Sequence, residues 1–188
     1  MRYLCLSLLI LWLCEIPLAP AMAEPQVHEI TPATTSIETI WRLFGLRGGK
    51  GQFRDFSGTV IYDPDRPEAM RLFVDIALAS FTSGDEERDA LIRGPDFFDA
   101  GTLPYAHFEG TGLHLTGRDE AEIEGILTLR GIGEPLALDI RVAKEKGVPL
   151  HVIAEGTLDR TRYGMTRYRP FLGRRVDIRI EIRLAGED

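Results

Sequence analysis

The chain has 188 residues with a formal net charge of −7, and 44% of its residues are hydrophobic against 27% charged. That size accommodates a leader and one domain of ordinary dimensions. The acidic balance argues against nucleic acid as a partner and against tight adsorption to anionic lipid.

Residues 1–23 read as an export signal rather than as part of the fold. Arg2 supplies the positive start, Leu4 to Leu13 is an apolar run, and Ala21-Met22-Ala23 offers a small-x-small cleavage pattern after Pro17 and Pro20. The run is too short to cross a bilayer, which takes roughly 20 residues. Both cysteines, Cys5 and Cys14, lie inside this segment. The exported product, residues 24–188, is therefore expected to lack disulfides and to owe its stability to burial. No later stretch resembles a membrane span.

From there the chain alternates apolar and polar residues with the period of strands. Val27 to Thr31 is a short candidate, stopped by Pro32. Ser36 to Phe44 puts Ile37, Thr39, Trp41 and Leu43 on one face. Gly45 to Gly51 reads as a turn or a bulged strand. Phe53 to Tyr62 aligns Phe56, Gly58, Val60 and Tyr62, and residues 63–67 turn the chain. Arg71 to Phe81 aligns Leu72, Val74, Ile76 and Leu78. Tyr105 to Thr116 is strand-like, broken by Gly110 and Gly112. Glu122 to Arg130 aligns Ile123, Gly125, Leu127 and Leu129, and Gly131 to Pro135 is a tight connection. Leu136 to Val142, Leu150 to Leu158 and Val176 to Leu184 complete the series, with Lys144 to Pro149 as a hairpin loop. About eight strands with short connections imply antiparallel neighbours, hence a sandwich or a closed barrel.

One stretch, Ser80 to Phe108, breaks this rhythm. Asp85 to Arg93 has a helical pattern, with Asp85 positioned to cap it and Gly94-Pro95 to end it. Phe97 and Phe98 follow, bracketed by Asp96 and Asp99. A single helical insertion with an aromatic pair predicts a cap, Asp85 to Asp99, over one end of the sheet.

Several motifs stand out along this chain. Ala79-Ser80, Thr82, Arg88-Asp89, Leu91, Phe97-Phe98, Pro104 and Phe108 span the insertion. Gly51-x-Phe53 with Phe56-x-Gly58 precedes it, and Gly125-x-Leu127-Thr128-x-x-Gly131 with Pro135 and Leu136 follows. Asp159-Arg160, Tyr163-Gly164-Met165, Gly173 and Val176 to Ile182 end the series. In order and spacing these motifs resemble the YceI-like family, whose members are periplasmic proteins that bind polyisoprenoid lipids in an extended lipocalin-like barrel. Where the family's first long strand often carries two histidines and a phenylalanine, this chain has Thr34, Leu43 and Thr39. The resemblance implies an all-β, antiparallel, eight-stranded lipocalin-like barrel with a short helical cap, located in the periplasm.

Chemistry has little support in the residues. There is no G-x-S-x-G elbow, Lys50 is followed by Gly51 where a phosphate loop needs Ser or Thr, and no cysteine accompanies the scattered histidines. Arg88 and Asp89 read as a structural anchor beside the exposed acids Asp85 to Glu87. Gly58, Gly110, Gly125 and Gly156, if inward, leave volume for a ligand or mark strand bends. Six arginines lie between Arg160 and Arg175, forming either a solvated loop or a rim that attracts a phosphate headgroup.

The expected function is non-catalytic: binding, sequestration or transport of an isoprenoid or other long-chain amphipathic lipid, of the polyprenyl phosphate or quinone type. The candidate ligand-binding residues are Trp41, Leu43, Phe53, Phe56, Leu91, Phe97, Phe98, Phe108, Leu127 and Leu138, with Arg162, Arg167 and Arg169 at the rim. No cofactor beyond the bound lipid, no nucleic acid and no stable membrane insertion are expected, and a homodimer is left open. Two other classes compete: a packed barrel serving as a periplasmic interaction or stress-response module, and an enzyme acting on a lipid-like substrate.

Overall fold

The computed structural model describes residues 25–63, 65–143 and 150–184. The export signal, with both cysteines, and the Lys144 to Pro149 loop lie outside the described residues. Within them, eleven strands form one sheet in which every pairing is antiparallel. In chain order they are β1 (Gln26–Ile30), β2 (Thr35–Leu43), β3 (Leu46–Phe53), β4 (Phe56–Tyr62), β5 (Arg71–Ala77), β6 (Phe81–Thr82), β7 (Tyr105–Leu115), β8 (Glu120–Leu129), β9 (Ile132–Ala143), β10 (Leu150–Asp159) and β11 (Leu172–Leu184). One helix, α1 (Glu86–Arg93), stands among them. The spatial order is β1-β4-β5-β7-β8-β9-β10-β11-β2-β3-β6. The sheet curls until residues of all eleven strands line one cavity.

Eleven strands stand where the sequence pattern implies about eight, and two of the additions, β3 and β6, follow from local chemistry at two places. The glycine-rich stretch after Phe44 is itself a strand, β3, with only Phe44 and Gly45 as its turn. Its pairing with β2 slips between Trp41 and Arg42, which is the bulged alternative. Glycines serve β3 because aromatic rings lie flat on it: a Cβ on Gly49 would fall 2.6 Å from the Trp41 ring, and one on Gly51 2.2 Å from Phe81. At the second place, the run ending at Phe81 breaks. Leu78–Ser80 makes one 3₁₀ turn, after which β6 pairs with β3 instead of β7.

That 3₁₀ turn makes the corner at which the two ends of the curled sheet meet. Ala77 donates its N–H to Asp55 O at 3.0 Å. Ser80 Oγ accepts from the Arg54 N–H and donates to Ala77 O and Asp55 O. The β3–β4 link is thereby held against the continuation of β5. Among the described residues the ladder ends at β1 and at β6, so closure comes from this corner and from side-chain packing. As a capped barrel requires of this strand, β11 pairs on both sides, with β10 and β2.

Another boundary moves for a similar reason. Gly131 to Pro135 is not a connection, because β9 already starts at Ile132 and pairs with β8 through Pro135. Proline is tolerated there because β10 pairs with β9 only from Asp139 to Ala143, leaving the other edge of β9 free of ladder bonds at Pro135.

The cap is tied down by a charge in its interior. Asp85 caps α1 by accepting the Arg88 N–H at 3.0 Å. Asp89, read from sequence with Arg88 as a structural anchor, is only 1% exposed. Its carboxylate accepts from the Ser83 N–H at 2.7 Å and from the Ser83 hydroxyl, and Arg93 stands 3.6 Å away. Arg88 in turn donates to Ser83 Oγ and Ser83 O. Burial alone raises the Asp89 pKa. The Ser83 and Thr82 hydroxyls, the Ser83 N–H and Arg93 together outweigh it, holding the carboxyl below its usual value.

A depressed folded-state pKa contributes stability that is complete above the unfolded aspartate value, about 3.9, and is lost as pH falls through the folded value. Asp89→Asn is therefore expected to lower stability at neutral pH by about 1.5–3 kcal/mol, the range for hydrogen bonds to a charged group. Near pH 2 the difference from the native protein shrinks. Urea unfolding at both pH values checks this, and an equal loss at both would show that the charge is not what holds the cap.

Candidate functional site

Because side chains alternate across a strand, one face of every strand points into the curl. Ile37, Thr39, Trp41 and Leu43 of β2, Leu72, Val74 and Ile76 of β5, and Val176, Ile178, Ile180 and Ile182 of β11 all line the cavity. Its volume is about 370 Å³. An apolar cavity of roughly 150 Å³ is already large enough to hold benzene. Few polar residues border it: Arg88, Arg160, Tyr168, Thr35 and Thr39. Thr35 Oγ1 is buried and has no hydrogen-bond partner.

Of the residues singled out from sequence, Trp41, Leu43, Phe53, Leu91, Phe97, Phe98, Phe108, Leu127 and Leu138 come together on this wall. Phe98 packs against Phe53 and Phe81 at ring separations of 5.7 and 5.4 Å. Phe97 stacks on Tyr168 at 6.2 Å. Both members of the aromatic pair thus face inward. Phe56 is buried elsewhere, opposite Ile76 in the β4–β5 ladder, and does not reach the wall. Thr39 and Leu43, which replace the family's more polar and aromatic residues, both line the cavity, whereas Thr34 is exposed on the turn after β1.

The four glycines do not leave volume empty. None of them borders the cavity. A Cβ on Gly125 would sit 2.6 Å from the Phe108 ring, and one on Gly156 2.7 Å from Leu138. Neighbouring side chains have taken the space, so these glycines allow close packing of the wall itself.

The arginine-rich segment divides into distinct roles. Residues 160–163 form a 3₁₀ turn. Arg160, read from sequence as part of a solvated loop or of a headgroup-attracting rim, is 2% exposed. It donates to Gly173 O and Leu172 O, both at 2.9 Å, and to Met165 O, while its guanidinium lies over the Phe97 ring. Burial, with Arg169 nearby, lowers its pKa, and Asp159 opposes the shift. Tyr163 is buried beside it, its pKa pushed up to about 12 by burial and by Glu134. Arg162 is exposed and bonded to Glu134 at 2.9 Å, away from the cavity. Arg167 stands 3.6 Å from Asp96 and covers the Tyr168 ring. Arg169 is exposed next to Tyr168, which lines the cavity, but does not itself reach the wall.

A further residue, Arg130, is one that sequence patterning does not single out. From the β8–β9 turn it donates to Pro95 O at 2.7 Å and to Phe97 O, pinning the segment after α1. Arg93 does the same for Phe81 O at 3.1 Å. The one available signal is an arginine directly before Gly131, where a two-residue hairpin turn favours Asn or Asp.

The family model for the YceI-like domain matches residues 28–184. A UPF0312 protein of Azotobacter vinelandii is 40% identical over 95 residues, so this chain spans about half the length of that relative, 50% of each chain being covered. A UPF0312 protein of Shewanella sp. strain W3-18-1 is 33% identical over 150 residues, 80% of this chain and 78% of that one. Among solved structures, BcnA of Burkholderia cenocepacia superposes with a TM-score of 0.72 at 23% identity, over 81% of this chain and 98% of that chain. A polyisoprenoid binding domain from Saccharophagus degradans, implicated in plant cell wall breakdown, gives a TM-score of 0.64 at 13% identity, over 87% and 100%. At such identities the likeness is one of fold.

Arg160→Lys removes the planar fork while keeping the charge, leaving at least one buried carbonyl unpaired. It should cost about 3 kcal/mol, whereas Arg162→Lys, on an exposed ion pair, should stay within about 0.5 kcal/mol. Urea denaturation of the two variants at neutral pH tests the contrast. Similar small losses would mean that Arg160 does not hold the segment.

Proposed function

The chain belongs to the YceI-like family, and from that premise we propose that it binds an amphipathic isoprenoid lipid without catalysis and carries or sequesters it in the periplasm. The observation that carries this reading is the cavity itself, an apolar space of about 370 Å³ bordered by all eleven strands and by the cap. A packed interaction module has no use for such a space. Chemistry on a substrate needs convergent acids, bases or nucleophiles. The lining carries no carboxylate, imidazole or thiol among the described residues.

The driving force is transfer of a chain from water to a dry wall. At about 30 Å³ per methylene-sized group, similar to the share of a water in the liquid, the space takes roughly a dozen. Each contributes about 0.8 kcal/mol, and association costs about 4 kcal/mol or more. The enclosed part of a tail then supports a dissociation constant on the order of tens of micromolar at best. A longer tail extends through the mouth, where Leu43, Leu91 and Tyr168 border the cavity and remain exposed. Polyprenyl chains and quinone tails both satisfy this. An anionic headgroup emerging there meets Arg167 and Arg169, of which, among the described residues, only Arg167 is engaged with a carboxylate, that of Asp96.

Ala154 lines the cavity between Ile140 and Ile180 in the β9–β10–β11 ladder. Ala154→Phe should fill the space, lowering affinity for a polyprenol about tenfold or more, with little change in melting temperature. Unchanged affinity in the folded variant would place the lipid elsewhere. For the headgroup, a polyprenyl phosphate should bind more tightly than its matched polyprenol. That preference should weaken in high salt and when Arg167 and Arg169 are replaced by Gln. Equal affinity for both lipids in every condition would leave the tail as the only feature recognised.

A further inference from the structure

The rim of the cavity is unusually apolar for a surface. The β2–β3 hairpin tip carries Phe44 and Leu46, which are 74% and 75% exposed, and beside it Phe171 is 54% exposed. The two tips are joined: Phe44 donates its N–H to Phe171 O at 2.9 Å, and their rings meet edge-on at 5.5 Å. Leu43 and Leu172, the next residues inward, pair across β2 and β11 and line the cavity. The exposed aromatics are thus continuous with the mouth.

Backbone conformation makes this arrangement harder to attribute to chance. Phe44 and Gly45 have φ of 50° and 79°, the all-positive pattern of a two-residue hairpin turn. The first position of such a turn favours Asn, Asp or Gly, because a side chain with a bulky Cβ substituent is strained in the left-handed region. The chain's other turn of this kind, Arg130-Gly131 with φ of 55° and 72°, also strains a large residue, and there the side chain binds the cap. Phe44 has no comparable partner beyond Phe171. Tyr168, at φ 61°, repeats the pattern on the neighbouring segment.

Charge completes the picture. The whole chain is acidic, yet cations surround this rim. Arg47, Arg169 and Arg175 are exposed and, among the described residues, unpaired, and Arg174 adds a cation 3.7 Å from Asp159. Among the described residues the carboxylates that reach the arginines here are matched one to one, Asp177 to Arg42, Asp96 to Arg167 and Asp159 to Arg174. Aromatic tips between unpaired guanidiniums suit the boundary of an anionic bilayer, where rings enter the headgroup layer and arginines meet phosphates.

We propose that the rim formed by Phe44, Leu46, Tyr168 and Phe171, with Arg47 and Arg175, docks the mouth of the cavity onto anionic phospholipid bilayer. The inference rests on the lipid-binding reading and adds where the lipid enters and leaves. Docking is peripheral: no described helix is long and apolar enough to cross a membrane. It also corrects the conclusion drawn from net charge, which averages over a local cationic patch. Transfer then needs no exposure of the tail to water, since the mouth opens onto the layer that holds it.

Flotation of the purified protein with vesicles tests this, comparing phosphatidylcholine alone with equal parts of phosphatidylcholine and phosphatidylglycerol. Cavity affinity is measured separately with a short polyprenol supplied as monomer, and mass in solution by sedimentation. The native protein should float with the anionic vesicles and less so in high salt. The double variant Phe44→Ser with Phe171→Ser should lose vesicle partitioning about tenfold or more, and Arg47→Gln with Arg175→Gln should lose the preference for anionic lipid. Both should keep cavity affinity. A native protein that binds the polyprenol but never floats overturns docking and spares the lipid-binding reading. Flotation unchanged in both variants overturns the proposed rim. A dimer that the Phe44→Ser, Phe171→Ser variant dissolves without changing flotation would assign the patch to self-association instead, and would also overturn it.

Discussion

The open end of this barrel depends on charged side chains that bind backbone, and among them Asp89 and Arg93 also face each other at 3.6 Å. Arg160 holds Met165 O and the first two carbonyls of β11, Arg130 holds two of the loop after α1, Arg93 holds one of β6, and Asp89 takes the N–H of Ser83. Irregular chain packed against an apolar interior leaves such groups without ladder partners, and an unpaired buried carbonyl is costly. One guanidinium supplies up to five donors in a rigid plane, so it satisfies several carbonyls at once. Pairing Arg160 and Arg130 with buried carboxylates would bring more charge to the cavity wall. Using backbone instead keeps the wall almost free of groups that would hold water.

This division explains how a hollow interior survives. The curl itself is made by hairpins and close-packed glycines, with Phe81 lying on Gly51, Phe108 on Gly125 and Leu138 on Gly156. The lower wall needs no special device, because ladder bonds satisfy the backbone. Only the capped end, where α1, the Phe97-Phe98 pair and the 160–171 segment converge, needs anchors. The same end carries the mouth, so the anchoring arginines and the exposed rim arginines share a short stretch of sequence while doing different things.

Alternation alone makes the wall of the cavity legible in the sequence. The inward sets on β2, β5, β8 and β11 stand where period-two reading puts them, because a sheet buried on one face must obey it. The cap is legible too, from Asp85, Gly94 and Pro95 around a helical pattern. Period cannot reveal β3, since its glycines carry no apolar signal, nor β6, which is two residues long and defined by its partner. Asp89 reads from sequence as part of an anchor, but Arg160 escapes a sequence reading, because burial of its charge depends on backbone groups beyond its own turn, such as Gly173 O. The four inward-reading glycines mislead in the same way, since their sequence pattern does not say that neighbouring rings and leucines fill their space.

The account stands on the cavity holding a lipid tail in life. The most direct measurement is mass spectrometry of the organic extract from protein purified, without added detergent, from its native host. An isoprenoid lipid recovered in near-equal amount to the protein, and lost from the Ala154→Phe variant, is the predicted result. A native protein that yields no lipid, or one whose extract matches that of the filled variant, would contradict it.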